Sequence, residues 1–146
     1  MLMRMDHDYM IRLIDAVRSS KGHGGAEENR QTLAAIYSAV GRGDFELFGE
    51  YLTDDVELDI RGMGPMDGVW RGRKDVVEAA RTNFGNIDEQ KPEIEAIAGQ
   101  GNVTAVLFSE KGVLKPDGRE YKLRAVQWFT FVDGRVKRID EIVAVS

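Results

Sequence analysis

The side chains of this sequence best able to do chemistry are carboxylates and an amide set in apolar runs. Glu110 stands in Phe108-Ser109-Glu110, Glu141 in Ile139-Asp140-Glu141, Asp59 in Leu58-Asp59-Ile60, and Gln127 in Ala125-Val126-Gln127-Trp128-Phe129. Two carboxyl groups in unequal surroundings divide acid and base work, one protonated to donate and one ionised to activate water. An amide in an apolar strand donates a hydrogen bond to a developing oxyanion. Each residue also has a plainer place. Asp59 alternates with Val56, Leu58 and Ile60, which puts it on a solvent face. Glu110 fits a charged edge strand that discourages association. Glu141 fits a surface pair with Arg138 or Lys137. Tyr37, on an apolar helical stripe, fits a core tyrosine with its hydroxyl at a boundary. Trp70, Phe84, Phe108, Trp128 and Phe129 are the candidates for the apolar walls of a ligand pocket, with Tyr37 beside them.

The rest of the inventory removes whole classes of function. The 146 residues carry a net charge of −5, which argues against a nucleic-acid partner because phosphate binding needs a basic surface. There is no cysteine, so disulfides, thiol nucleophiles and thiolate metal ligands are absent, and a reducing compartment such as the cytoplasm fits. Only His7 and His23 are available as imidazole ligands, so neither a metal nor any other cofactor is expected. No apolar run approaches the ~20 residues of a membrane helix. Glycine-rich phosphate loops and nucleophile elbows are missing as well.

The elements that must position these residues follow from periodicity. Apolar residues at helical spacing predict a helix over 2–18, then a short linker at Lys21-Gly22-His23-Gly24-Gly25. This arm, residues 1–25, is either a mobile tail or a segment that packs on the domain or on a second copy. The domain itself is expected over 26–146. Leu33, Ile36, Tyr37 and Val40 predict a helix over 26–41, and Asp44 is placed to cap a short one carrying Phe45 and Phe48. A strand over 56–61, a turn-rich loop over 62–68 and a third helix over 73–84 come next. Strands are expected over 92–98, 102–114, 119–132 and 135–145, with turns at Pro116-Asp117-Gly118 and Asp133-Gly134. Helices segregated from a meandering antiparallel sheet make the fold α+β.

Three stretches carry a family resemblance. Gly43-Asp44-Phe45 with Leu52-Thr53-Asp54-Asp55-Val56, then Gly64-Pro65-Met66-Asp67-Gly68-Val69-Trp70-Arg71-Gly72-Arg73, then Phe129-Thr130-Phe131-Val132-Asp133-Gly134-Arg135-Val136 occur in order across 26–146. Together they resemble the nuclear transport factor 2-like superfamily, and within it the SnoaL-like group, with its ketosteroid isomerase, polyketide cyclase and limonene-epoxide hydrolase relatives. The resemblance implies a cone: a strongly curved antiparallel sheet against about three helices, enclosing a pocket, here with an extra N-terminal helix. It also implies a homodimer through the sheet. Ile60 stands where the isomerases place their general base, so that mechanism lacks its proton acceptor. Gln127 falls at their oxyanion-hole acid, and Tyr37 one residue from their tyrosine. Glu110 and Glu141 match the two acids of the epoxide hydrolases, but Phe108 stands where those enzymes carry an arginine between the carboxylates. Arg124 or Arg138 would have to replace it.

Counting from hairpins closed at Lys115–Arg119 and Phe131–Arg135, Gln127 shares a face with Glu141, and Glu110 falls on the opposite one unless a bulge intervenes. Three functions stay open: an isomerase, cyclase or hydrolase acting by carboxylate chemistry on a hydrophobic small molecule; a protein that binds such a molecule without turnover; and a dimeric interaction module.

Overall fold

The computed structural model describes residues 7–19 and 26–146. The expected linker at 21–25 and His23 lie outside the described residues. Helix α1 spans His7–Ser19, α2 Glu27–Gly41 and α3 Phe45–Glu50; strand β1 is Leu52–Arg61 and β2 Gly68–Arg71; α4 is Arg73–Asn86; and β3 Ile87–Gln100, β4 Val103–Leu114, β5 Glu120–Val132 and β6 Arg135–Val145 complete the chain. Strand β2 was not expected from the sequence, because a four-residue strand with two glycines at its borders has too little pattern to read. Strand β3 begins directly at the end of α4 and is twice the expected length.

The six strands form one sheet in the order β2-β1-β6-β5-β4-β3. Every neighbouring pair is antiparallel except β1 with β6, which run parallel in the middle of the sheet. Register shifts interrupt β1 against β6, β3 against β4 at two places, and β5 against β6. An extra residue bends a strand and increases its twist, and these interruptions curl the sheet around the helices without closing it.

The local signals explain the helix ends. Glu27 and Glu28 sit in the first turn of α2, where carboxylates complement the helix dipole. Asp44 caps α3 by accepting from the Leu47 amide at 3.2 Å, as its type and position predicted. At the other end, Asp133 and Gly134 take positive φ angles of 51° and 78° in the two-residue β5–β6 turn, a conformation glycine adopts at little cost.

The core lies between the helices and the concave face of the sheet. Leu33, Ile36 and Val40 of α2, Phe48 of α3, Leu58 and Ile60 of β1, Val76 of α4 and Phe129 and Phe131 of β5 are all buried there. Helix α1 packs on α2 and β3, burying Leu13, Ile14 and Val17. Burial of aliphatic side chains contributes about 1.5–3 kcal/mol apiece, enough to hold an otherwise marginal helix of this length. The buried Arg30 of α2 donates from Nη1 to the Arg18 carbonyl at 3.0 Å, which satisfies a terminal carbonyl of α1.

Candidate active site

Alternation along β4, β5 and β6 puts Thr104, Val106, Phe108 and Glu110, then Leu123, Ala125, Gln127 and Phe129, then Ile139, Glu141 and Val143 on the concave side. Residues directly opposite in paired strands share a face. Val106, Gln127 and Glu141 therefore form one row across three strands, and Glu110, Leu123 and Val145 form another. Glu110 and Gln127 are on the same face, contrary to the count from the hairpins. The β4–β5 turn closes one residue earlier than expected: Leu114 donates to Arg119 at 2.9 Å, while the Lys115 amide turns away to the Asn86 carbonyl at the end of α4. One residue of register reverses every side chain, so that single amide decides where Glu110 points.

The deeper row is filled. The Tyr37 hydroxyl donates to Gln127 Oε1 at 2.7 Å, and its ring meets Phe129 edge-on with centroids 6.0 Å apart. Burial drives the Tyr37 pKa far up, so the phenol stays protonated. Glu141 is 1% exposed, beside Gln127. The cavity that Gln127 and Glu141 share with Phe48, Leu58, Val76, Ala80 and Ile139 measures about 10 Å³. That is room for about one water molecule. The expected ligand pocket is closed at this depth. Phe108 and Phe129 are buried in the core around it, and Phe84 stacks edge-on against Phe45.

The second row opens outward. Glu110 is 4% exposed, and both carboxylate oxygens are engaged: Gln90 Nε2 donates to Oε1 at 2.8 Å, and the Tyr121 hydroxyl donates to Oε2 at 2.8 Å. Burial pushes the Glu110 carboxyl up to about 7, while the bonds from Tyr121 and Gln90 pull the other way. Three irregularities of the chain converge on this carboxyl. A bulge between Asp88 and Lys91 sets Glu89 and Gln90 opposite one residue of β4, which turns Gln90 inward. Glu89 takes a φ of 50° to make that bulge, a conformation that costs a non-glycine residue about 1 kcal/mol or more. Gly112 lets the Tyr121 ring lie flat over β4, since a Cβ at Gly112 would sit 2.6 Å from the Tyr121 hydroxyl oxygen. Tyr121 also lines a groove of about 480 Å³ whose walls are largely apolar: Met63, Pro65, Met66, Ile87, Leu114, Leu123 and Val145. Tyr121 thus binds a buried carboxyl through its hydroxyl and also lines an open apolar groove.

Gln90 and Tyr121 were missed in the sequence. Gln90 sits in the charged run Asp88-Glu89-Gln90-Lys91, which reads as a solvated loop. An isolated glycine inside a strand marks a close approach, so Gly112 was the available signal for Tyr121.

Other candidates lie elsewhere. Asp59 and Trp128 are on the convex face; Trp128 is 46% exposed and lines no concave pocket. Asp59 accepts from Arg61 at 3.1 Å and from Arg138 at 3.3 Å, and its carboxyl is held below the usual range chiefly by the Arg61 bond. Arg138 also binds Glu57 and Asp140, and Arg124 binds Glu95. Neither arginine bridges Glu110 and Glu141. Those two carboxyls belong to rows four residues apart along the strands, about 13 Å by strand rise, so they cannot share one water as a catalytic pair. Trp70 borders a separate depression of about 360 Å³ against α4, with Met66, Asn83 and Asn86. Among the described residues, no three His, Asp or Glu side chains are grouped to hold a metal ion, and no helix is long and apolar enough to cross a membrane.

A curved, unclosed six-stranded sheet wrapped on helices, with carboxyl groups on its concave side, defines an α+β cone. The model of the SnoaL-like domain matches residues 33–139, and the chain belongs to that family. Among solved structures, an NTF2-like protein from Burkholderia xenovorans LB400 superposes with a TM-score of 0.71 at 22% identity, over 82% of this chain and 91% of that one. A candidate SnoaL-like polyketide cyclase from Jannaschia sp. CCS1 gives 0.69 at 15% identity, over 80% and 85%. An LEH-like epoxide hydrolase from M. tuberculosis gives 0.63 at 18% identity, over 80% and 82%. Similarity at these identities establishes the fold alone. No curated protein matches the chain.

Proposed function

We propose that this chain is an acid–base enzyme acting on a small apolar molecule in the groove above Tyr121, with Glu110 as the titrating carboxyl. The observation that carries the reading is the buried Glu110 side chain held by Tyr121 and Gln90 beside an apolar groove. A carboxyl that titrates near neutrality populates both the acid and the base form at working pH. When Glu110 is protonated, it donates to the Tyr121 oxygen and frees the phenolic hydrogen for a carbonyl or epoxide oxygen of the substrate. As the proton leaves Tyr121 for the substrate, the Glu110 proton passes to Tyr121, and the carboxylate remains. Isomerisation, cyclisation and epoxide opening all contain such a step, which agrees with the range of activities named among the structural relatives.

The test is turnover of a panel of apolar enones, cyclisable diketones and epoxides. With a responsive substrate, kcat/KM is expected to fall as pH rises through about 7, since the acid must be protonated. Glu110→Gln and Tyr121→Phe should each lower it about 100-fold or more. Undiminished activity in both variants, or a ¹³C-labelled Glu110 carboxyl titrating in the ordinary range, would sink the proposal. Binding of panel members with no turnover favours the non-catalytic reading.

A homodimer through the convex face belongs to the same proposal. Val69, Trp128 and Ile142 are exposed on that side, around the ion-paired cluster of Glu57, Asp59, Arg138 and Asp140. Exposed aromatic and aliphatic residues on one face are the usual core of a protein interface.

A further inference from the structure

Among the described residues, none hydrogen-bonds the side chain of Asn83, although Asn83 is only 5% exposed. An asparagine inside a helix ordinarily turns outward to water or bonds a carbonyl one turn back. Asn83 does neither: it falls on the buried face of α4, with Val76, Ala79 and Ala80. Neither its amide oxygen nor its amide nitrogen is sealed from solvent, and the residue lines the depression of about 360 Å³ between α4 and β2. Trp70 stands on the facing wall. The register sets Trp70 opposite Leu58, a buried residue of the concave side, so the indole points toward α4 and away from the convex surface. The ring lies over Gly68, where a Cβ would come within 3.3 Å of it. Met66 and Ala79 add apolar lining. The charged side chains at the rim are Asp75 and Glu78, the second paired with Arg81 at 3.2 Å, and among the described residues no lysine or arginine lines the depression.

We infer that this depression binds a small planar ring that presents an N–H donor beside a C=O acceptor, the edge of an aromatic carboxamide or of a lactam. The Asn83 amide offers the complementary pair, so two parallel hydrogen bonds satisfy both of its polar atoms at once. The ring of the ligand packs on the Trp70 indole. The volume falls within the range of small-molecule clefts, about 300–1,000 Å³. A carboxylate analogue lacks the donor and meets the acids of the rim, so it is disfavoured. None of Glu110, Tyr121 and Gln90 lines this depression, and the inference does not depend on the proposed catalysis.

The experiment is NMR titration of the ¹⁵N-labelled full chain with nicotinamide, uracil, 3-acetylpyridine and nicotinate, followed on the Asn83 side-chain amide and the Trp70 indole N–H. Nicotinamide or uracil is expected to bind about fivefold or more tighter than 3-acetylpyridine, which keeps a ring and a carbonyl but has no donor. The margin over the anionic nicotinate should be about tenfold or more. Whichever of the two binds tells a carboxamide edge from a lactam edge. Asn83→Leu should erase the preference over 3-acetylpyridine and melt no lower than the wild type, since it removes a buried amide that has no partner. Trp70→Leu should weaken the amide-edged probe and 3-acetylpyridine alike and keep their ratio. No binding of either amide-edged probe, equal affinity for 3-acetylpyridine, or a preference that survives in Asn83→Leu would overturn the inference.

Discussion

Burial sets the protonation of Glu110 apart from that of a free carboxyl. Its carboxyl titrates at about 7 in the folded chain against 4.5 in a free one, so the native state holds that proton more tightly than the unfolded state does. The contribution of Glu110 to stability is therefore greatest below pH 4.5 and is lost as pH rises through 7. A displacement of that size corresponds to about 3 kcal/mol. Asp55, Asp59 and Glu95 are shifted the other way, each first by a hydrogen bond from a neighbouring cation, so their contributions vanish only on acidification. Of these four carboxyls, Glu110 alone titrates between pH 5 and 8. Denaturant unfolding should show the protein losing about 3 kcal/mol across that range, and Glu110→Gln, which resembles the protonated form, should flatten the profile and be the more stable protein at pH 8. A wild-type profile already flat in that interval would mean the carboxyl is solvated.

At the scale of the element, the site is a property of two adjacent hairpin strands and the edge strand beside them. Strand β4 contributes Glu110 and the gap at Gly112, β5 lays Tyr121 into that gap, and the bulge of β3 delivers Gln90. Gly112→Ala tests the arrangement without touching any polar group. The new Cβ would stand 2.6 Å from the Tyr121 hydroxyl, so the ring must move off the strand. Overpacking of this kind costs about 1–3 kcal/mol. The Glu110 carboxylate also loses a donor, so its pKa should rise further, which ¹³C NMR of the labelled carboxyl would register. A variant that keeps both its stability and its Glu110 titration would show that Tyr121 is held some other way.

At the scale of the whole molecule, the sheet separates two chemistries. Its concave side keeps neutral hydrogen-bond partners around buried polar groups, and its convex side carries the charged network centred on Arg138. If the convex face joins two copies, sedimentation velocity should give the mass of a dimer at micromolar concentration. Ile142→Lys, at a position 62% exposed in the single chain, should shift the protein to monomer with little change in its melting temperature. A dimer that persists in this variant would locate the interface elsewhere.

The sequence by itself determined the class of fold and most of its elements, because those depend on short-range periodicity and on turn chemistry. Leu33, Ile36, Tyr37 and Val40 mark their helix, Asp44 its neighbour's cap, and Asp133-Gly134 its hairpin, each within a few residues. Local pattern also singled out Glu110, Gln127 and Glu141 as polar groups in apolar strands. It misplaced Trp128, whose aromatic type reads as core and whose strand parity puts it outside. What only the tertiary structure decided was which of these groups meet. The Lys115 amide bonding to Asn86 set the register that turns Glu110 inward, and the β3 bulge brought Gln90 across twenty residues of chain to meet it. Both depend on contacts between segments remote in sequence, and a single residue of slip in either would send the side chain to the other face of the sheet.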